Sequence, residues 1–334
     1  MPTFNSQLIR ARACAVADEK ETTYGTGILD ANFTAGHNLR FDGAAFAQFP
    51  VKEYFSDQNL AKGHPWATVR AEIRRNSKFS ISGMAMYDYI AGWLGAMCFG
   101  KVVTSGAGPY THLFTADLSN FLSPVTSVLL QDTSDIKYKL FDLAINTLKF
   151  TGSAIGPVQC DMEMIGSGKH LDSVLALPAL TNPVFILNND ADILLGPQGA
   201  PVSIKERIRS WTVNITANQE DVRHPGSGLF AGFHRRGDMR FSVQMQVAAK
   251  DVDDIRTLII NDTIRELQIN INSGAAAQLK FRFPGIVFKG TPGADGSFVA
   301  WNLDSGEDGI FKSGANEPIE MTAINNQATW LTAG

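Results

Sequence analysis

Cysteine is scarce in this chain: Cys14, Cys98 and Cys160 are the only three in 334 residues. None forms a C-x-x-C pair, so the common zinc arrangements and a disulfide scaffold are both excluded. An odd number of scattered cysteines predicts free, mostly buried thiols in a protein made in a reducing compartment. Histidine is scarce too. His37, His64, His112, His170, His224 and His234 show no H-x-H or H-x-x-x-H spacing, so no metal pair is expected. Long apolar runs are missing: the most apolar stretch, 89–99, is about half of what a bilayer span needs. Residues 1–12 lack the apolar stretch of a signal peptide, so neither export by that route nor membrane insertion is expected. A basic excess is missing as well. With 29 Lys and Arg against 33 Asp and Glu, the net charge is −4, which argues against a protein that grips phosphates.

Catalytic motifs fail at identifiable positions. Gly166-Ser167-Gly168-Lys169-His170 has the outline of a phosphate loop, but that pattern needs Gly at Glu163 and Ser or Thr at His170. Asp304 to Gly309 hints at a calcium loop. Gly306 sits at a ligand position, however, and Ala315 stands where the bidentate Glu belongs, so a solvated acidic turn is the reading. There is no G-x-S-x-G. Cys160 lies mid-strand between Val158 and Met162 rather than at a helix start. His112 falls in a predicted strand within reach of Asp132, where a hydrogen-bonded structural role is expected. The sequons at Asn32, Asn214 and Asn261 carry little meaning without secretion. No enzyme, cofactor or metal is expected.

What is present is a folded, patterned chain, 44% hydrophobic and 19% charged, long enough for two domains. An internal repeat organises it. Arg74-Arg75 precedes the alternating run Phe79 to Met84, and Arg235-Arg236 precedes Phe241 to Met245, each run reading as a half-buried strand. A helical stripe follows each: Met86, Ile90, Trp93, Leu94 and Met97, then Val252, Ile255, Leu258 and Ile259. Strands at Tyr110 to Phe114 and Ser127 to Leu130 are matched to Glu266 to Asn272 and Leu279 to Phe283. Hairpins built on Leu148 to Gly152 and Ile286 to Gly290 close the two series. The offset drifts from about 161 to about 138, which a longer loop between residues 99 and 136 of the first copy explains. The expected division is an arm with loops at 1–65, one domain at 66–178, a linker at 179–199 and a second domain at 200–334. The fold class is mainly β with a few helices, α+β, as two tandem β-sandwich or partial-barrel domains, each with a flanking helix.

The run Gly108-Pro109-Tyr110-Thr111-His112-Leu113-Phe114, after a helix ending at Phe99-Gly100, resembles the GPYTHTFT segment of bacteriophage tail tube proteins. Ser127 to Asp132, the hairpin from Phe141 to Leu148 with 158–165, Arg209 to Ile215 and Tyr24-Gly25-Thr26-Gly27 resemble further segments of that family, in the duplicated form found in long-tailed phages. The resemblance implies a structural virion protein made in the host bacterial cytoplasm. Six tail tube domains would close a ring whose inner sheets surround a DNA channel, so this chain would close as a homotrimer with pseudo-sixfold symmetry. Its partners would be itself, the tail terminator, tape measure and distal tail proteins, and DNA passing without specific binding. The alternative is a two-domain β-sandwich binding or decoration protein of a virion. Trp93 and Trp211, placed inside periodic elements rather than on loops, count against a sugar-binding surface.

Alternation along Val158 to Ile165 puts Gln159, Asp161 and Glu163 on one face, making them lumen-lining candidates. Arg74, Arg75, Arg235 and Arg236, with Phe41, Phe46 and Phe49 from the expected arm, are the inter-subunit candidates. The arginine pairs could also be read as phosphate contacts, but salt bridges at a strand entrance or a subunit contact are the plainer roles.

Overall fold

The structure, a computed structural model, describes residues 13–17, 19–33, 36–41, 47–56, 70–117, 122–131, 137–153, 155–179, 182–248, 255, 258–295, 298–330 and 332–333. Its larger sheet is antiparallel, ordered Lys289–Asp295, Phe298–Asp304, Arg240–Ala248, Ile208–Thr216, Lys137–Ser153, Gln159–Gly166, Arg70–Ala85 and Ala47–Ser56. Taken four at a time, this order repeats. Strands 137–153, 159–166, 70–85 and 47–56 form a first quartet, and 289–295, 298–304, 240–248 and 208–216 form a second in the same sequence of roles. Phe79, Ile81 and Met84 are buried on one face of the first quartet, and Phe241, Val243 and Met245 are buried likewise in the second. Polar residues between them face outward, as a pleat with one dry side requires.

A second layer covers each quartet. Behind the second, Val202–Ser203, Ala191–Gly196, Arg265–Asn272, Gln278–Ile286 and Glu320–Asn325 pair in that order. Behind the first stand His37–Asn38, Ala13–Val16, Thr126–Gln131, the start of 137–153, and His170–Asp172. Strand 137–153 serves both layers by bending at Asp142, whose φ is 58°. The repeat matching therefore shifts: 265–272 and 278–286 take the places of 126–131 and the outer part of 137–153, not those of Tyr110 to Phe114 and Ser127 to Leu130. Gly100–Ser105 and Tyr110–Ala116 form a hairpin with no counterpart, which supplies the extra length of the first copy. It pairs across the chain with 320–325.

Strands also occur where an arm and a linker were expected. Ala13–Val16 is buried along most of its length, and strand 47–56 carries Pro50 and two register shifts. Proline and register shifts erase the alternation by which strands are recognised. Ala191–Gly196, within 179–199, pairs with 265–272.

The helix Asp88–Phe99 is apolar on every side, and residues 89–99 are all buried, the pattern of a core helix. Gly100 ends it in a left-handed conformation, φ 80°, with its N–H on the Ala96 carbonyl. Gly92 allows the helix to approach Trp330, whose indole a β-carbon would strike. In the second half, Ile255 and Leu258 are helical and buried, while Val252 lies outside the described residues. A single apolar core joins the halves: the Phe150 and Phe281 rings lie 5.0 Å apart, and Trp211 and Phe281 6.3 Å apart.

Candidate assembly edges and concave face

The seam between the quartets is strand 208–216 against strand 137–153, in register from Ser210↔Ser153 to Thr216↔Thr147. The strands with matching roles, 47–56 and 289–295, form the two outer edges of the sheet. Among the described residues, neither has a neighbour beyond its own hairpin partner. Seam and edges are thus made of the same two kinds of strand. Gln48 lies opposite Lys78 as Thr216 lies opposite Arg240. Val287 precedes Lys289 by the same interval as Thr147 precedes Lys149. Pro50 and Pro292 each remove one donor from an edge, which discourages indiscriminate strand addition.

Hydroxyls and amides dominate the open face of the larger sheet, among them Thr147, Thr151, Thr212, Asn214, Ser242 and Gln246. Depressions of about 800 and 360 Å³ lie along it. Gln159, Asp161 and Glu163 lie on this side, opposite buried Cys160, Met162 and Met164. Their carboxylates are engaged. Asp161 accepts the Gly83 N–H at 2.8 Å and lies 4.0 Å from Lys149 Nζ, and Glu163 accepts the Asn146 amide at 3.1 Å. In the second quartet Lys289 faces Asp304, which accepts the Gln244 amide at 3.2 Å. Arg240 pairs with Glu307 at 2.8 Å.

The arginine candidates have partners within the chain. Arg74 lies 3.2 Å from Glu53 and 3.3 Å from Asp221. Arg75 pairs with Glu72, its N–H reaches the Leu229 carbonyl, and its own carbonyl accepts from Arg223. Arg236 is buried and donates to the Phe99 carbonyl at 3.0 Å. Arg235 bridges Leu122 through its backbone and lines a cavity of about 390 Å³. Phe41 packs against the main core. Phe46 and the side chain of Phe49 lie outside the described residues.

Two buried polar clusters escaped the sequence reading. Tyr24 Oη lies 2.9 Å from His234 Nε2, and His234 Nδ1 lies 2.9 Å from Asp221. Burial pushes the Asp221 carboxyl up, but His234 and Arg74 outweigh it and hold it below the usual range. In the second cluster Glu21 accepts from the Ser127 hydroxyl at 2.6 Å and the Asp142 N–H at 2.9 Å, while Asp142 accepts from Ser167 and the Gly25 N–H. Burial, and then the Asp142 charge, pushes the Glu21 carboxyl up to about 8. The only local signal was the wording Tyr24-Gly25-Thr26-Gly27. Its partners lie over 100 residues away, beyond the reach of spacing.

Other flagged residues have structural partners. Ser167 bonds Asp142, and Lys169 reaches the Gly25 carbonyl at 3.4 Å. Asp304 accepts the Gly306 N–H at 2.8 Å, closing its turn. His112 is buried between Thr104 at 2.9 Å and Asn325 at 3.2 Å, and burial lowers its pKa. Its expected neighbour Asp132 lies outside the described residues. All three cysteines are free and buried, and burial raises their thiol pKa values, that of Cys98 to about 12. No described helix is long and apolar enough to cross a membrane.

Stacked antiparallel layers, two open edges among the described residues and a polar open face define a β-sheet protein. Comparison with family models narrows this class. A model described as phage tail tube protein matches residues 11–323, and the chain belongs to that family, a structural component of the bacteriophage tail. No curated protein matches the chain.

Proposed function

We propose that three chains join edge to edge into a ring, and that rings stack into the tail tube through which the genome reaches the host. The start of strand 47–56 of one chain would meet residues 287 and 288, just ahead of strand 289–295, of the next, as Ile215 and Thr216 meet Leu148 and Thr147 inside each chain. The observation that carries this reading is that the two open edges have the same strand roles as the internal seam. Closure leaves no sheet edge exposed, and cyclic symmetry supplies it with one kind of contact. Three chains with two quartets each give the pseudo-sixfold ring. The polar open face, with Gln159, Asp161 and Glu163 on it, would line the channel. Assembly in the host cytoplasm, and end contacts with terminator, tape measure and distal tail proteins, belong to the same reading.

Transferring the seam register places Gln48 of one chain opposite Val287 of the next, at a separation that a disulfide can span. Gln48→Cys combined with Val287→Cys should yield covalently closed trimers on a non-reducing gel after oxidation, with rings visible by negative stain. Neither single variant should cross-link, since the native thiols are buried. Rings that form without that cross-link would overturn the register, and a six-chain ring by native mass would overturn the trimer.

A further inference from the structure

We propose that the polar open face is an electroneutral track, in which each quartet sets an aspartate beside a lysine so that the wall offers no free cation to a passing polyanion. This rests on the tube reading above and goes beyond it, because alternation along one strand leaves open whether a basic residue of the next strand cancels the charge of Asp161 and Glu163. Asp161 lies 4.0 Å from Lys149, and Asp304 is the register partner of Lys289. These two pairs occupy matching places in the two quartets. Arg240 pairs with Glu307 at 2.8 Å. Lys78 and Glu163 lie diagonally on adjacent strands, since Ser80 faces Glu163 and Ile165 faces Lys78. Two of the cations are thus ion-paired, and the other two neighbour a carboxylate through strand register.

Charges are needed on this face before closure. A wide sheet of hydroxyls and amides without charge invites association with other sheets, whereas interspersed charges of both signs keep it wet. Unpaired lysines would bring a different problem. Each cation that neutralises a phosphate releases a counterion and adds to affinity, with log K falling by about 0.9 per contact as log salt rises. A ring of three chains holds Lys149 and Lys289 three times each, enough to retain duplex DNA if they stood free. The aspartates leave the lysines their hydration and remove their grip. The surrounding hydroxyls and amides offer only weak, exchangeable contacts.

The experiment measures retention of a short fluorescent duplex by sedimented tubes at about 50 mM salt, a condition in which phosphate contacts dominate. Wild-type tubes should leave the duplex in the supernatant. Asp161→Asn with Asp304→Asn should raise retention at least tenfold, with most of it lost by about 200 mM salt. Adding Lys149→Gln and Lys289→Gln to that variant should return retention to the wild-type level. Wild-type tubes that hold the duplex as strongly as the double variant would overturn the proposal, as would double-variant tubes that hold none. Negative stain of the same samples separates the two readings: absence of wild-type tubes would count against the tube itself, whereas tubes with unchanged retention would count only against the neutral track.

Discussion

The two quartets carry the same strand roles, but they differ in what is inserted between them. The first half adds the 100–116 hairpin, which crosses to strand 320–325 of the second and buries His112 at the contact. The second half reaches back to the first through Gln219–Val222 and Phe233–Arg236, the counterpart of the outer pairing of 47–56 with 70–85, by way of Arg75, Ser123 and Tyr24. Each half therefore holds the other through a hairpin, and only the 100–116 hairpin stands outside the repeat among the described residues. The difference teaches that two quartets of like strand order can share one apolar core while contacting each other through different hairpins.

The largest test of this unity is Trp211→Ala. Trp211 is 1% exposed, packs against Phe281, and donates to Asn188 at 2.7 Å. Its loss should cost about 3–5 kcal/mol, read by urea denaturation. A shared core predicts one transition, and two separate transitions would show that the halves unfold independently. Asp221→Asn should cost about 2 kcal/mol, because it weakens contacts from Arg74, Arg223 and His234 together. Hydrogen exchange should then quicken in 70–77 and 219–236 while 265–286 stays protected. Equal loosening everywhere would contradict a local strap.

Acidity sharpens the comparison further, since Glu21 belongs to the first half alone. Its folded pKa of about 8 stands above the ordinary 4.5, so its contribution is complete below pH 4.5 and lost as pH rises towards 8. Melting temperature should fall across that window, and Glu21→Gln should flatten the fall. Asp221 works in the opposite sense and matters only in acid. Gly100→Ala should cost about 1 kcal/mol, because φ is 80° there. The smallest effect should come from Glu307→Gln. With Arg240 57% and Glu307 52% exposed, the loss should stay below about 0.5 kcal/mol by thermal melting.

Legibility in the sequence followed physical regularity. The strands around Phe79, Met162 and Val213 alternate because one face is dry, and the helix before Gly100 shows its apolar stripe, so these could be read directly. A strand over Leu8 to Val16 could be read, and Ala13–Val16 is one, whereas strand 47–56 was hidden by Pro50 and its bulges. Repeat matching failed at Tyr110–Ala116 for another reason: an inserted hairpin has strand pattern of its own and attracts a false partner. The acidic residues of strand 159–166 stand opposite its buried residues, as the alternation predicted. The ion pair of Asp161 with Lys149 and the hydrogen bond of Glu163 with Asn146 depended on cross-strand register, which one strand's pattern does not contain. The Glu21–Asp142 and Tyr24–His234 contacts depended on tertiary approach across more than 100 residues.

The covalent path from residue 166 to residue 208 joins the quartets permanently. Any closed assembly of this chain must therefore contain an even number of them. Rings of five or seven, the nearest miscounts available to a subunit carrying one quartet, are unreachable by composition alone. The fusion acts as a parity constraint on counting, and it holds without any contribution from binding energy.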